Sequence, residues 1–212
     1  MNRLLINKFI KNLKKNTNNN KIEKNKNYTL KEEKFKKCLE DMKEILDINN
    51  QRFFLAWGTL LGCYREKRFI SYDGDIDIGI LYEDFDVNII DKIIKSNKFK
   101  LNKTFGELDK NLELAFINNN GKKIDIFIYY KISEDFYYTS TFLDICALKP
   151  DGFCKWGRHI RGFIETEFYG KKYLIPKNTE EHLIESYGDD FMTPKKFTYK
   201  EGLKIGYKNL LN

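Results

Sequence analysis

The chain has 212 residues, of which 42% are hydrophobic and 15% aromatic, and it contains three prolines. This length and composition predict one ordered domain with a substantial core and exclude an intrinsically disordered scaffold. No apolar run approaches the roughly 20 residues that a membrane-spanning helix needs, so the sequence predicts a soluble or at most peripheral protein.

The net charge of +7 is confined to the start of the chain. Residues 1–28 are rich in Asn and Lys and carry eight basic residues against one acidic residue, whereas basic and acidic residues balance over the remainder. A basic tail on a neutral domain is weak evidence for nucleic-acid binding, and we expect no specific nucleic-acid partner. We therefore predict a flexible, low-complexity basic tail over residues 1–28 and one domain over residues 29–212. A short apolar stripe within residues 1–15 would allow weak peripheral membrane contact.

The cysteines provide little evidence for a metal or disulfide framework. Cys38, Cys63, Cys146 and Cys154 show none of the paired spacing that is typical of structural zinc, and we expect all four to be reduced. With no convincing secretory signal, a cytoplasmic location is the default expectation.

The first half of the predicted domain alternates helices and strands. Apolar residues recur at three- and four-residue spacing from Thr29 to Asp47, which predicts an amphipathic helix. The following elements are a buried strand, a short helix, an aspartate-bearing strand and a second amphipathic helix. They cover Arg52–Trp57, Thr59–Lys67, Ile70–Leu81 and residues 85–96.

The second half is richer in strands. The runs Leu112–Ile117 and Lys123–Tyr130 are joined by an Asn-rich turn ending in Gly121, which predicts a hairpin. A further strand, a basic loop, a second hairpin and a last helix follow. They cover Tyr137–Cys146, residues 149–161, Phe163–Ile175 and Thr179–Tyr187. This order predicts an α+β fold, a mixed sheet flanked by helices.

Three aspartates alternate with isoleucines in the stretch that the rest of the chain surrounds. If Asp73, Asp75 and Asp77 lie on one strand, their carboxylates share one face and the isoleucines share the other. Three like charges in a row repel unless a cation compensates them, and hard cations prefer oxygen ligands. The pattern therefore predicts a site for Mg²⁺ or Mn²⁺. An EF-hand loop is excluded because Ile78 stands where that loop needs Gly.

A fourth carboxylate and a glycine turn are further candidates. Asp125 lies in the middle of an apolar strand, where an unpaired charge is costly, so it either faces a cleft or binds something. Gly58 and Thr59 lie at a strand-to-helix turn, where backbone and hydroxyl groups can approach a phosphate, although a plain helix cap has the same pattern. Arg65 is either a phosphate clamp or a solvated helix residue. His182 is expected on a surface helix.

These motifs resemble the signature of the LicD family. The matching residues are Gly58–Gly62, Arg65, Phe69–Ile70, Asp73–Ile78, Lys123–Phe127, Tyr173–Pro176 and Tyr187–Asp190. The resemblance implies a nucleotidyltransferase-like fold and a metal-dependent phosphotransferase, with Asp75, Asp77 and Asp125 as metal-binding and catalytic residues. Asp73 is either a further metal ligand or an acceptor of backbone hydrogen bonds that shapes the turn. The resemblance also implies that Gly58, Thr59 and Arg65 bind the substrate.

The resemblance further implies a phospho-alcohol, such as phosphocholine or ribitol phosphate, that moves from a CDP-activated donor to a glycan hydroxyl. Two alternatives stay open: a nucleotidyltransferase that moves NMP onto a small molecule or protein, and a non-catalytic binding module. Glu66 and Gly74 motivate the second alternative, because the family usually has His and an acidic residue at these positions.

Overall fold

The computed structural model describes residues 29–142 and 152–195, together with the backbone of residues 210–211. The predicted tail over residues 1–28 lies outside these ranges. Four helices are described: α1 over residues 29–48, α2 at Trp57–Glu66, α3 at Ile89–Lys95 and α4 at Thr179–Tyr187. A turn of 3₁₀-helix at Tyr82–Asp84 follows the second strand.

Ten strands form the sheet in the described part of the chain. In chain order, β1 to β5 are Phe54–Leu55, Asp75–Leu81, Phe99–Phe105, Glu113–Asn118 and Lys123–Lys131. The next five, β6 to β10, are Phe136–Thr141, Cys154–His159, Phe163–Phe168, Lys171–Pro176 and Leu210–Leu211. The α+β class predicted from the sequence is confirmed.

Strands β2 and β5 lie side by side at the centre and run parallel. Beyond β2 the order is β1, β9 and β8, while β4 and then β3 pair along the first part of β5. The end of β5 pairs instead with β6, which continues into β7 and β10. One strand therefore connects the central sheet to the β6–β7 hairpin.

The main core covers one face of the two central strands. The isoleucines of β2 and β5 on this face are all fully buried: Ile76, Ile78, Ile80, Ile124, Ile126 and Ile128. All four helices contribute to this cluster, α1 through its apolar stripe from Phe35 to Leu46. Burial of so many large apolar side chains is the main source of stability of the domain.

The opposite face is covered by a smaller apolar cluster. It is built from Phe54, Phe127, Tyr129, Tyr137 and neighbours, and the β6–β7 hairpin contributes to it. Gly79 makes room for it, because a Cβ at this position would lie 2.3 Å from Cζ of Phe54. The charged residues of β2 and β5 lie at the start of this face, and the cluster covers the part that follows them.

Several predicted elements are confirmed and others are wrong. The first hairpin, the hairpin at Gly170 and the last helix are found close to their predicted bounds. The aspartate strand begins at Asp75 rather than Ile70, so Asp73 precedes it. The basic loop contains a strand, β7, whose residues are mostly buried. Strand β3 was not predicted, because most of its side chains are exposed and polar and give no apolar alternation.

Two smaller expectations are also wrong. His182 is buried, with 2% of its surface exposed, because α4 packs it towards β7, where the carbonyl of His159 lies 3.1 Å from its Nδ1. Cys154 is disulfide-bonded, whereas Cys38 and Cys63 are free and buried as predicted. Within the described residues, no helix combines the length and apolar character needed to cross a bilayer.

Candidate active site

Two aspartates project from β2 on the face opposite the isoleucines. Asp75 is half-buried and Asp77 is buried, as strand alternation predicts. Asp73 reaches the same place from the preceding turn, and carboxylate oxygens of all three lie within 4.8 Å of one another. The prediction that the three aspartates share one strand is therefore wrong for Asp73, but their carboxyl groups do cluster.

The turn that carries Asp73 is fixed by local hydrogen bonds. The Asp73 N–H donates to the carbonyl of Ile70 (3.0 Å), and the Gly74 N–H donates to Asp73 Oδ1 (2.9 Å). From α1, the ammonium of Lys31 donates to the carbonyl oxygens of Ser71 (3.0 Å) and Asp73. These contacts hold the turn so that its carboxyl group faces β2.

The start of α2 positions Asp77. The Gly58 N–H donates to Asp77 Oδ2 (3.0 Å), and the Asp77 N–H donates to Thr59 Oγ1 (2.9 Å). A Cβ at Gly58 would lie 2.3 Å from Asp73 Oδ2, so only glycine fits this close approach. The glycine turn thus holds Asp77 through the N–H of Gly58, and Thr59 is buried beneath it. Substrate binding by this turn stays a prediction.

Asp125 lies on β5 directly beside Asp77, as the register of the parallel pair requires. The ammonium of Lys123 lies 2.6 Å from Asp125 Oδ2 and 3.3 Å from Asp75 Oδ2 and so joins the two strands. The other carboxylate oxygen, Asp125 Oδ1, is buried and has no hydrogen-bond partner among the described residues. The structure therefore brings the four predicted carboxylates to one face, with Lys123 as an added cation.

The carboxyl groups are poorly solvated and repel one another. Burial, reinforced by the charge of Asp75, raises the pKa of Asp73 to about 6. Burial and the charges of Asp75, Asp73 and Asp125 raise the pKa of Asp77 well above its ordinary value. Burial also raises the pKa of Asp125 to about 6, although Lys123 opposes that shift. The folded site therefore favours whatever reduces its negative charge.

A fifth carboxylate, Glu113 on β4, was missed from the sequence. It is buried, and β4 pairs with β5 so that Ala115 lies beside Asp125 and Glu113 lies on the same face. Burial and the charge of Asp125 raise the pKa of Glu113 to about 7. The available signal was an acidic residue at the start of an otherwise apolar strand.

Arg65 makes its contacts elsewhere. Its guanidinium pairs with Glu66 (2.5 Å) and donates from Nη1 to the carbonyl of Phe191 (3.1 Å), with 4% of the side chain exposed. Arg65 and Glu66 thus tie α2 to the segment after α4. The acidic residue at position 66, which departs from the family pattern, is the partner of this arginine.

A second acidic group surrounds His159, which lies on β7 rather than in a solvated loop. Its ring Nδ1 is 2.5 Å from Glu185 Oε1, and its backbone N–H donates to Glu185 Oε2 (2.9 Å). Glu181 pairs with Arg161 at 2.6 Å. Glu185 thus fastens α4 to β7, and Glu181 fastens it to the segment that follows β7.

The aspartate group has the properties of a divalent-metal site. Mg²⁺ and Mn²⁺ prefer hard oxygen ligands, and Asp73, Asp75 and Asp77 offer them at close range. The raised pKa of Asp77 and the oxygen of Asp125 without a partner indicate that the described residues supply too few positive charges and donors to balance these carboxylates. The residues present therefore fit the metal that the sequence predicts.

The mixed α+β sheet, with carboxylates gathered on one of its faces, agrees with the resemblance seen in the sequence motifs. Residues 50–178 match the family model described as "LicD/FKTN/FKRP, nucleotidyltransferase domain". The chain therefore belongs to the LicD family, and the resemblance predicted from its motifs is confirmed.

Curated relatives support the same assignment. The chain is 30% identical over 148 residues to "Ribitol-5-phosphate transferase FKTN" of Macaca fascicularis, and 29% identical over 148 residues to the protein of that name in Homo sapiens. Each alignment covers 68% of this chain and 30% of the relative. A Caenorhabditis elegans protein, "Uncharacterized protein W02B3.4", is 30% identical over 185 residues, which cover 76% of this chain and 47% of that protein. The chain thus spans less than half the length of these relatives.

Proposed function

We propose that this chain is a metal-dependent transferase that moves a phospho-alcohol from a CDP-activated donor to a glycan hydroxyl. The observation that carries the proposal is the convergence of Asp73, Asp75 and Asp77, with Asp125 beside them, on one face of two parallel strands. Membership of the LicD family, and relatives described as ribitol-5-phosphate transferases, support the type of group transferred.

In this proposal Asp73, Asp75 and Asp77 hold Mg²⁺ or Mn²⁺. When bound, the ion would neutralise charge on the donor diphosphate and on the departing CMP. Gly58 and Thr59 keep Asp77 in its orientation through the two hydrogen bonds described above. Catalysis of this kind depends mainly on positioning and electrostatics, so a rigid carboxylate matters more than a reactive one.

In this proposal Asp125 and Lys123 act on the acceptor. Asp125 Oδ1 has no hydrogen-bond partner among the described residues, so in this proposal it accepts the proton of the glycan hydroxyl as the new O–P bond forms and the bond to CMP breaks. Lys123 holds the other oxygen of Asp125 and fixes the direction of the carboxylate. The acceptor oxygen would then approach from the β5 side of the site.

The test is turnover by Asp75→Asn and Asp77→Asn with CDP-ribitol and CDP-choline as donors, measured as Mg²⁺-dependent CMP release with a glycan acceptor present. We expect a loss of about 100-fold or more, because charge on the metal ligands is removed without a change of shape. Asp91→Asn is the matched control, since Asp91 lies exposed on α3 with 73% of its side chain accessible. Full activity in both site variants would overturn the proposal.

A second candidate is nucleotidyl transfer, which the description of the family model favours. The same carboxylates would then act on an NTP and leave NMP on a small molecule or protein. Donors labelled in the α-phosphate separate the two reactions. In phospho-alcohol transfer the label leaves with CMP, and in nucleotidyl transfer it appears in the product.

A further inference from the structure

Arg158 is a buried cation with an unused donor. It lies on β7 with 1% of its surface exposed. Its Nε donates to Ser186 Oγ on α4 (2.8 Å), and its Nη1 donates to the carbonyl of Gly157 (2.6 Å). Nη2 is buried and has no hydrogen-bond partner among the described residues, while Glu185 on α4 is a charged neighbour of this guanidinium. A buried charge with an unpaired donor is costly, so an explanation is required.

Two further unpartnered donors lie next to it. The indole N–H of Trp57 and the hydroxyl of Thr139 are both buried, and neither has a hydrogen-bond partner in the part of the chain that the structure describes. The guanidinium carbon of Arg158 is 5.4 Å from the ring of Trp57 and 5.8 Å from the ring of Trp156, which is the cross-strand partner of Thr139. Cross-strand alternation places Thr139, Trp156 and Arg158 on one face of the β6–β7 hairpin. The three donors therefore belong to one buried cluster.

Ordinary packing does not account for this group. The cation–π contacts offset part of the desolvation of Arg158, but they supply no oxygen acceptor. The same hairpin does satisfy another donor: the indole N–H of Trp156 donates to Thr141 Oγ1 (2.8 Å). Among the described residues, Trp57, Thr139 and Arg158 thus have donors without a partner on this side of the hairpin, and the hydroxyl of Ser140, which also lacks a partner, lies on its opposite face.

This cluster of Trp57, Thr139 and Arg158 adjoins the aspartates. Trp57 directly precedes Gly58, whose N–H donates to Asp77, and its ring packs 5.9 Å from Phe127 on β5. Trp57 also adopts a left-handed backbone conformation (φ 43°), which is strained for a residue with a side chain. Burial raises the pKa of the Tyr187 hydroxyl, the charge of Asp77 raises it further and the charge of Arg158 opposes the shift, so this tyrosine lies near both residues. Strain of this kind is typical of functional positions.

We propose that Arg158, Trp57 and Thr139 form a binding subsite for a phosphate oxyanion beside the aspartate group. All three present donors, and none carries a negative charge that would repel an anion; the hydroxyl of Thr139 can also accept, but its rotatable proton can turn towards an anion. The guanidinium supplies the positive charge, and its planar donor fork suits phosphate oxygens. This inference rests on the proposed function for the identity of the anion, which would be one phosphate group of the nucleotide-activated donor.

The test is calorimetric titration of the full chain with inorganic phosphate, without divalent metal, and then with CDP in the presence of Mg²⁺. We expect Arg158→Met to weaken both affinities by about tenfold or more, because a charge-assisted hydrogen bond is lost. Trp57→Phe and Thr139→Val each remove one neutral donor and should weaken binding by about fivefold. Arg158→Lys should recover only part of the affinity, because it keeps the charge without the fork.

Two controls separate binding from structure. Trp156→Phe removes an indole N–H that is already committed to Thr141, and Arg161→Met removes an exposed arginine that pairs with Asp135 and Glu181. Both should bind phosphate within about twofold of the unmodified chain. Thr139→Val should also leave the melting temperature equal or higher, because it removes a buried hydroxyl that has no partner.

Each outcome decides the question. Unchanged phosphate and CDP affinity in folded Trp57→Phe and Thr139→Val would overturn the subsite, even if Arg158→Met fails to fold. Weakened phosphate binding in these variants supports it, whether or not Asp75→Asn and Asp77→Asn lose turnover. Failure of the aspartate variants to lose activity would instead reject the proposed reaction and leave the phosphate result standing.

Discussion

The two faces of the β2–β5 pair are built from the same seven register positions and have opposite properties. On one face the isoleucines of both strands are fully buried and all four helices pack against them. On the other face Asp75, Asp77, Lys123 and Asp125 lie together, and the pKa values of Asp77 and Asp125 are raised. Successive residues of these strands thus point alternately to the face that stabilises the domain and to the face that carries the candidate site.

This contrast shows how the fold tolerates a costly site. Clustered, partly buried carboxylates destabilise the folded state when ionised, because repulsion and lost hydration both act against them. The isoleucine face offsets that cost through burial of apolar surface. The same backbone holds both, so the position of the carboxylates is as rigid as the core behind them.

Breaking the apolar face should have the largest effect on stability. Ile78→Ala removes a fully buried side chain and is expected to lower the free energy of unfolding by about 3 kcal/mol. Chemical denaturation gives the value. Ile164→Ala is the matched control, because Ile164 lies on β8 with 44% exposed, and it should cost less than about 0.5 kcal/mol. Equal losses in the two variants would contradict the assignment of the core.

An added methyl group on the polar face should disturb the carboxylates rather than the core. Gly58→Ala places a Cβ 2.3 Å from Asp73 Oδ2 and is expected to weaken Mn²⁺ binding at least about tenfold, measured by calorimetry. Gly74→Ala tests the same change nearby, where a Cβ would meet no atom within 4 Å. The idea fails if both variants bind Mn²⁺ equally well.

The pH dependence of stability should sharpen the contrast further. The pKa of Asp73 is about 6 in the folded chain, above its ordinary value of 3.8. The folded state binds the proton of Asp73 more tightly than the unfolded state does. The resulting contribution to the free energy of unfolding is therefore complete below pH 4 and is lost as the pH rises through 6. In EDTA, Asp73→Asn should reduce the loss of stability between pH 4 and 7 by on the order of 1 kcal/mol, after allowance for its partial exposure. Parallel pH profiles for the two chains would contradict the shift.

The aspartate site could be predicted because it depends on local alternation and spacing. Asp75 and Asp77 are two residues apart, and Asp125 lies in a strand with the same apolar pattern, so one rule finds all three. Asp73 shows the limit of that rule, since its turn is fixed by Lys31 from α1, a contact made at a distance in the chain.

The residues that the sequence missed depend on long-range pairing. Lys123 and Glu113 reach the site through the registers of β5 with β2 and β4, and no local pattern gives those registers. Arg158 was assigned to a basic loop because its neighbours are charged, whereas β7 buries it against α4. The tail over residues 1–28, the cytoplasmic location and the absence of a nucleic-acid partner stay predictions.

The parallel register of β2 and β5 has a consequence for how the chain can vary in length. Asp77 lies beside Asp125, and Ile78 beside Ile126. Inserting one residue within either strand would exchange the faces, bringing a carboxylate into the core and an isoleucine into the site in the same step. Insertions between Ser133 and Asp135, in the turn before β6, leave the register of β2 with β5 unchanged. Length changes in related chains should therefore accumulate in turns and spare these two strands.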